Sequence, residues 1–140
     1  MRRAGGGRWT VLYDADCGVC NWLLAALLRW DRAARLRPLA LGRPEAGELL
    51  NDFSPDERMA SWHLISPAGE RASGGAALPP ILRQLPGGRI PAAAFARFPR
   101  LTERGYRWMA EHRSQLSKLV PAGAKRRAGH RVRRREQLVR

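Results

Sequence analysis

Acidic residues, cysteines and aromatics are all scarce in this chain: 12 Asp plus Glu stand against 26 Lys plus Arg, two cysteines occur in 140 residues, and aromatic side chains make up 7%. Two cysteines exclude a disulfide-rich secreted scaffold and, on their own, a zinc site built only from thiolates. The strongest apolar run, Trp22 to Leu28, is far short of the roughly 20 residues that cross a bilayer, so no membrane span is expected. The first nine residues contain arginine and glycine but no apolar segment before a cleavage site. A cytoplasmic location is therefore expected. Gly5-Gly6-Gly7 lacks the lysine and helix that would make it a phosphate-binding loop.

What remains suffices for one ordinary domain. With 44% hydrophobic residues, a chain of this size buries roughly two-thirds of its unfolded surface and needs no covalent staples. The net charge of +14 is unevenly spread: eight basic residues and one acid lie between 121 and 140, which is half the excess in one-seventh of the chain. That stretch has few large apolar side chains and its like charges repel, which predicts a basic, disordered tail over 120–140. Residues 1–8 read as a flexible N-terminus, leaving 9–119 as the domain. The tail reads either as a solvated extension or as a nonspecific contact to nucleic acid or an acidic surface; no interleaved aromatics offer base stacking.

Along the domain, Trp9-Thr10-Val11-Leu12-Tyr13 reads as a buried strand ending in a loop. From Val19 or Cys20 to about Arg35, apolar residues recur at helical spacing and arginines fall late, where they suit the negative end of the helix dipole. Arg37–Leu41 follows as a second strand, giving a βαβ unit. Pro44–Phe53 predicts a short helix, Ser54 caps a further turn, and Ser61–Ser66 with Glu70–Ser73 predict a hairpin around Pro67-Ala68-Gly69. A helix is expected within 74–85, another over 91–98, and an amphipathic terminal helix from Leu101 to Leu119, with Tyr106, Met109, Arg113, Leu116 and Val120 on one face. The expected class is α/β, with a mixed four-stranded sheet, βαβ plus antiparallel hairpin, flanked by helices and carrying an added C-terminal helix. That is the order of a thioredoxin-like sandwich.

The chemistry centres on Cys17-Gly18-Val19-Cys20. Two cysteines placed at random would show this spacing only about one or two times in a hundred. The pair sits where a strand ends and an apolar helix begins, so Cys17 is expected beside unpaired backbone N–H groups and the positive end of the dipole, which favour a thiolate. Cys20 follows in the first turn, close enough to resolve a mixed disulfide. In a reducing compartment such a pair serves exchange, redox sensing or metal binding in preference to a permanent bridge.

The run Tyr13-Asp14-Ala15-Asp16-Cys17-Gly18-Val19-Cys20 resembles the DCC thiol-disulfide oxidoreductases, also known as the DUF393 family. Their signature is an aspartate, two residues, a cysteine, two residues and a second cysteine, usually introduced by Tyr-Asp-Gly. Asp14, Cys17 and Cys20 match it, whereas Ala15 replaces the usual glycine, which would restrict a loop needing positive φ. Ala68-Gly69-Glu70, the glycines and alanines at 74–77, and Tyr106 to Arg113 continue the resemblance, which covers about residues 9 to 119. It implies a thioredoxin-like scaffold and thiol-disulfide oxidoreductase activity, with Cys17 as nucleophile and Cys20 as resolving thiol. The partners implied are a disulfide-bearing protein or small thiol substrate and an electron donor such as a reductase or glutathione. No cofactor and no metal is expected.

Asp14 and Asp16 pull against the helix terminus by raising the Cys17 pKa. Asp14 either takes the proton of Cys20 as that thiol attacks, or caps and ties down the loop; Asp16 is expected to order the turn, with Tyr13 as a supporting residue. Many thioredoxin-like proteins place a cis-proline opposite the cysteines, but the corresponding stretch here, Met59-Ala60-Ser61, has none. Zinc would need both cysteines and two of His63, His112 and His130, and none of these histidines has ligand spacing. Arg113 reads either as an anchor for a carboxylate such as Asp14 or as a solvent-facing residue. A second class of function stays open: a basic binding protein for nucleic acid or an acidic partner, its cysteines structural or a redox switch.

Overall fold

A computed structural model describes residues 7–139. Four strands, β1 (Trp9–Tyr13), β2 (Leu36–Ala40), β3 (His63–Ile65) and β4 (Arg71–Ser73), form one sheet in the order β2-β1-β3-β4. β1 pairs parallel with β2 and antiparallel with β3, and β3 pairs antiparallel with β4. The parallel pair requires a crossover, supplied by α1 (Gly18–Trp30). The architecture is therefore α/β and thioredoxin-like, as expected.

Strand alternation sets the two faces. Val11 and Tyr13 of β1, with Leu36 and Leu64, pack against Leu24 and Leu28 of α1 and Ile81 of α4 (Leu78–Arg83). Leu12, Leu39 and Ile65 face the other way and are covered by Ala46 and Leu50 from α2 (Pro44–Leu49) and the turn after it. α3 (Pro55–Ala60) starts on the expected Ser54 cap, in which Ser54 Oγ accepts from Glu57 N and Glu57 returns the bond to Ser54 N.

α1 is shorter than the sequence pattern predicts. It stops at Asp31, and Ala34 adopts a left-handed backbone (φ 52) that turns the chain into β2. The predicted helix over 101–119 is also divided, into α6 (Pro99–Glu111) and α7 (Arg113–Leu119), with α5 (Arg89–Arg97) preceding them. His112 leaves helical geometry (φ −105, ψ 11), its ring bonded to the Trp108 carbonyl at 2.7 Å and stacked on the Trp108 indole. The break sets the direction of Arg113.

The largest departure concerns the basic tail. Residues 122–138, predicted as disordered, form α8 (Ala122–Leu138), which runs alongside α1. Small residues permit the close approach, and Ala128, Gly129 and Val132 are buried in the interface. Two buried carboxylates then hold it, Asp31 at the end of α1 and Glu136 on α8 itself. Asp31 accepts from the backbone N–H groups of Arg35 and Leu36 at 3.0 and 2.9 Å and from Arg135 Nη1 at 2.9 Å. Glu136 of α8 accepts from Tyr13 Oη and Arg43 Nε, both at 2.9 Å. Composition concealed this because the helix docks through small side chains and long-range ion pairs, which leave no apolar stripe. The predicted flexible segment 1–8 lies outside the described residues up to position 6, and Arg8 at its end donates to the Ala34 carbonyl.

Removing the Asp31 carboxylate leaves Arg135 and two backbone donors without their buried partner. Asp31→Ala is expected to cost about 3–5 kcal/mol in urea unfolding, whereas Arg126→Ala on the exposed face is expected to stay within about 0.5 kcal/mol of the parent. Equal stabilities of the two variants would show that α8 is not held by this clamp.

Candidate active site

The loop from β1 to α1 is built by local hydrogen bonds. Asp14 Oδ1 accepts from Asp16 N at 3.0 Å, and the Asp14 carbonyl accepts from Cys17 N at 3.2 Å. This is an Asx-type turn, and it occupies one oxygen of Asp14 in ordering the loop. Asp16 is exposed and contributes its backbone. The turn proceeds without the usual glycine: among the described residues Ala34 is the only non-glycine with positive φ, so Ala15 sits in ordinary backbone space.

Cys17 is the N-cap of α1, in extended geometry (φ −90, ψ 110), and its sulfur accepts from Cys20 N at 3.3 Å. The cap role that serine or aspartate fills elsewhere is filled here by a thiol. Asn21 locks the arrangement: its buried amide donates to the carbonyls of Ala15 and Cys17 at 2.9 and 3.0 Å. Sequence reading passed over Asn21, whose signal was an amide one turn beyond the first cysteine on an otherwise apolar helix. Gly18 has its own reason. A Cβ there would lie 2.6 Å from the Lys125 side chain of α8 and 2.7 Å from Ser117 Oγ of α7, so a larger residue would require both of these side chains to move off the first turn.

Both cysteines are free thiols and only partly exposed. Their proton affinities are split. The Cys20 thiol hydrogen-bonds to the Cys17 sulfur and lowers the Cys17 pKa; burial opposes this, while the Cys20 backbone N–H and the Arg113 guanidinium assist it, against a smaller opposing effect of Asp14. The outcome for Cys17 is a pKa lowered to about 6. Cys20 moves strongly upward, because it shares its proton with Cys17, is the more buried, and faces the Cys17 charge. For Cys17 the hydrogen bonds from Cys20, the thiol first and the backbone N–H after it, prevail over burial and Asp14.

Arg113, read as ambiguous in the sequence, comes to the thiols. The break at His112 aims it from the start of α7 toward Cys17 and Cys20, both of whose thiolates it favours, and its Nη2 donates to the Met59 carbonyl at 3.4 Å. The stretch that lacks a proline thus has one of its carbonyls engaged by Arg113. Next to it, Trp62 N donates to Tyr106 Oη at 2.9 Å and the two rings stack at 5.9 Å. Burial, with the nearby Cys20 as a smaller contribution, raises the Tyr106 phenol to about 12 despite the Trp62 hydrogen bond. Tyr106 therefore stays neutral and structural. The Tyr13 phenol donates to Glu136 and is raised by burial and that carboxylate. This bond ties the strand end to α8.

A cavity of about 750 Å³ opens beside the dithiol. Cys20, Asp14, Ser61, Tyr106 and Arg113 stand at one end, and Leu23, Leu27 and Trp30 of α1 face Phe95, Phe98, Leu101 and Met109 of the α5–α6 arm across it. Phe98 and Leu101 are 55% and 66% exposed, so the arm leaves its apolar face open. The predicted face of Tyr106, Met109 and Arg113 is this wall. Gly75 permits the arm to seat: a Cβ there would lie 2.8 Å from Glu103 Cα, and Gly75 N donates to Glu103 Oε2 at 2.8 Å. The histidines are elsewhere. His63 is buried, bonded to Ser73 Oγ and the Arg58 carbonyl, while His112 stacks on Trp108 and His130 is exposed on α8.

A partly exposed Cys-x-x-Cys dithiol whose first cysteine caps a helix beside this sheet has the features of a thiol-disulfide exchange protein of the thioredoxin-like class. The pattern of one family matches residues 11–119, and the chain belongs to it: the DCC1-like thiol-disulfide oxidoreductases. The family implies oxidoreductase activity on disulfide or thiol substrates. No curated protein and no solved structure matches the chain. α8 lies beyond the matched region. Among the described residues no helix is long and apolar enough to cross a membrane.

Alkylation of Cys17 by iodoacetamide is expected to follow a single titration with its midpoint near pH 6, the rate rising as the thiolate forms and levelling above it. Arg113→Met removes a positive charge that favours the thiolate, so the midpoint should move upward. A parent midpoint close to that of an unperturbed cysteine, about 8.5, would overturn the assigned geometry.

Proposed function

We propose that the protein is a cytoplasmic dithiol oxidoreductase in which Cys17 attacks and Cys20 resolves. The observation that carries this reading is the asymmetry of the pair: one sulfur poised as thiolate at the helix start, the other protonated and deeper, 3.3 Å from its backbone N–H to the first sulfur. The Cys17 thiolate displaces one sulfur of a substrate disulfide. The substrate S–S bond breaks, a Cys17–substrate disulfide forms, and the released thiolate takes a proton from water. Cys20 then loses its proton and attacks Cys17 Sγ, expelling the second substrate sulfur. The substrate gains two electrons and the protein dithiol becomes a disulfide, which an electron donor such as a dithiol reductase or glutathione returns to the dithiol.

In the mixed disulfide the Cys17 charge is gone, but burial still favours the protonated Cys20, so a base assists the second step. Asp14 stands with Cys20 at the end of the cavity and is the carboxylate assigned to that transfer, in addition to its role in the turn. Arg113 balances the charge that passes between the sulfurs. The neutral Tyr106, Tyr13 and Asp16 serve as supports.

Cys17→Ser is expected to abolish reduction of insulin disulfides. Cys20→Ser should retain the first step and accumulate a mixed disulfide detectable by mass spectrometry, and Asp14→Asn should leave mixed-disulfide formation intact while slowing its resolution by roughly tenfold to a hundredfold. Full turnover by Cys17→Ser would refute the assignment of the nucleophile. Equal loss of both steps in Asp14→Asn would restrict Asp14 to ordering the loop.

A further inference from the structure

A second groove, of about 1070 Å³, lies on the other side of the cysteine motif from the apolar cavity, between α1 and α8. Its α1 wall is the stripe Gly18, Trp22, Ala25 and Arg29, and it begins at Asp16 and Gly18, the residues on either side of Cys17. Its α8 wall carries Lys125, Arg126, Arg127, Arg131, Arg133 and Arg134, and Asp16 is the one acid among the lining residues. The two helices run in the same direction, since Gly18 meets Lys125 at one end and Asp31 binds Arg135 at the other. The cations therefore line a track that leads away from Cys17.

These charges are not consumed by the fold. The inner face of α8 docks through Ala128, Val132, Arg135 and Glu136, while Arg126, Arg127, Arg131, Arg133 and Arg134 are exposed and form no ion pair among the described residues. Holding so many like charges on one helix is unfavourable in the free protein, and an anionic occupant relieves it. From Gly18 to Arg29 the track is about 16 Å long at the α-helical rise, the reach of about five residues of extended chain.

We infer that this groove is the docking site for an acidic segment of the disulfide-bearing protein substrate, laid along α1 and α8 so that the neighbouring cystine meets Cys17. The inference rests on the oxidoreductase reading, from which it takes the need for a disulfide on the bound molecule. The start of the groove at Asp16 and Gly18, the residues flanking Cys17, favours a polypeptide over a nucleic acid, which carries no disulfide. The walls agree, because Trp22 alone supplies an indole and no series of rings is available for base stacking. α8 thus contributes substrate choice to a site whose chemistry lies in the family domain.

The test compares two synthetic peptides that share one internal disulfide and differ only in the five residues beside it, all glutamate in one and all lysine in the other. With the full-length protein at low salt, the glutamate peptide is expected to be reduced with about tenfold or greater advantage in kcat/KM, an advantage that shrinks as salt is raised. In Arg127→Glu/Arg131→Glu/Arg134→Glu the preference should vanish or reverse; because it is a ratio, altered thiol reactivity cancels. Should that variant misfold by circular dichroism, the corresponding glutamine variant is expected to lose most of the preference. Fluorescence anisotropy with disulfide-free versions of both peptides reads the groove without the chemistry, and should show the same tenfold order in Kd. Reduction of both peptides at equal rates overturns the inference and leaves the oxidoreductase reading standing. Tighter binding of the glutamate peptide with no reduction of either peptide overturns the oxidoreductase reading and supports the groove. A single-stranded oligonucleotide that binds more tightly than the glutamate peptide and displaces it overturns the choice of occupant.

Discussion

The site depends on one local constraint: a cysteine placed as the cap of a helix must receive a hydrogen bond from the third residue beyond it, and here that residue is the second cysteine. The bond stabilises negative charge on Cys17. It also brings the Cys20 thiol to the same sulfur, so that each thiol moves the other's proton affinity in the opposite direction. An otherwise symmetric dithiol becomes one sulfur that ionises readily and one that keeps its proton. The Asp14 turn before it and the Asn21 amide after it hold the cap, and Gly18 leaves room for two further helices to close over it.

Around that cap the protein presents different surfaces on two sides. Toward Cys20 lies an apolar cavity whose far wall, the α5–α6 arm, is only partly buried. Beside Asp16 and Gly18 begins a basic groove lined by α1 and α8. Arg113 joins the first of these to the sulfurs from the break between α6 and α7, and so places a cation beside a thiolate that Asp14 would otherwise disfavour.

α8 changes how the excess charge is understood. Its arginines divide into two kinds. Arg135 is drawn inward by Asp31 and by backbone carbonyls of Leu28 and Leu36, whereas its neighbours point to water. Tyr13, at the end of the strand that delivers the active loop, is tied to the same helix through Glu136. Through these contacts the region beyond the family match steadies both the strand and the helix that meet at the cysteines. Desolvating Asp31 and Glu136 is unfavourable in itself, and the guanidinium, phenol and backbone donors that surround them are what make their burial tolerable.

Much of this was legible in the chain of letters. The β-branched run before Cys17, the apolar helix after it and the two-residue spacing of the thiols are local patterns, and local patterns determine strand, helix start and the class of chemistry. The alternation of Val11, Leu12 and Tyr13 likewise determines which faces of the sheet are covered. The role of Asn21, although its partners Ala15 and Cys17 are near in sequence, depends on a loop geometry that no periodicity records. The direction of Arg113 and the folding of residues 122–138 were decided by tertiary structure: the Arg-rich helix acquires its place only from partners distant in sequence, such as Asp31 for Arg135 and Tyr13 for Glu136. Periodicity records what a residue's neighbours along the chain require; it holds no record of a carboxylate more than a hundred positions away that turns a repelling tail into a docked helix.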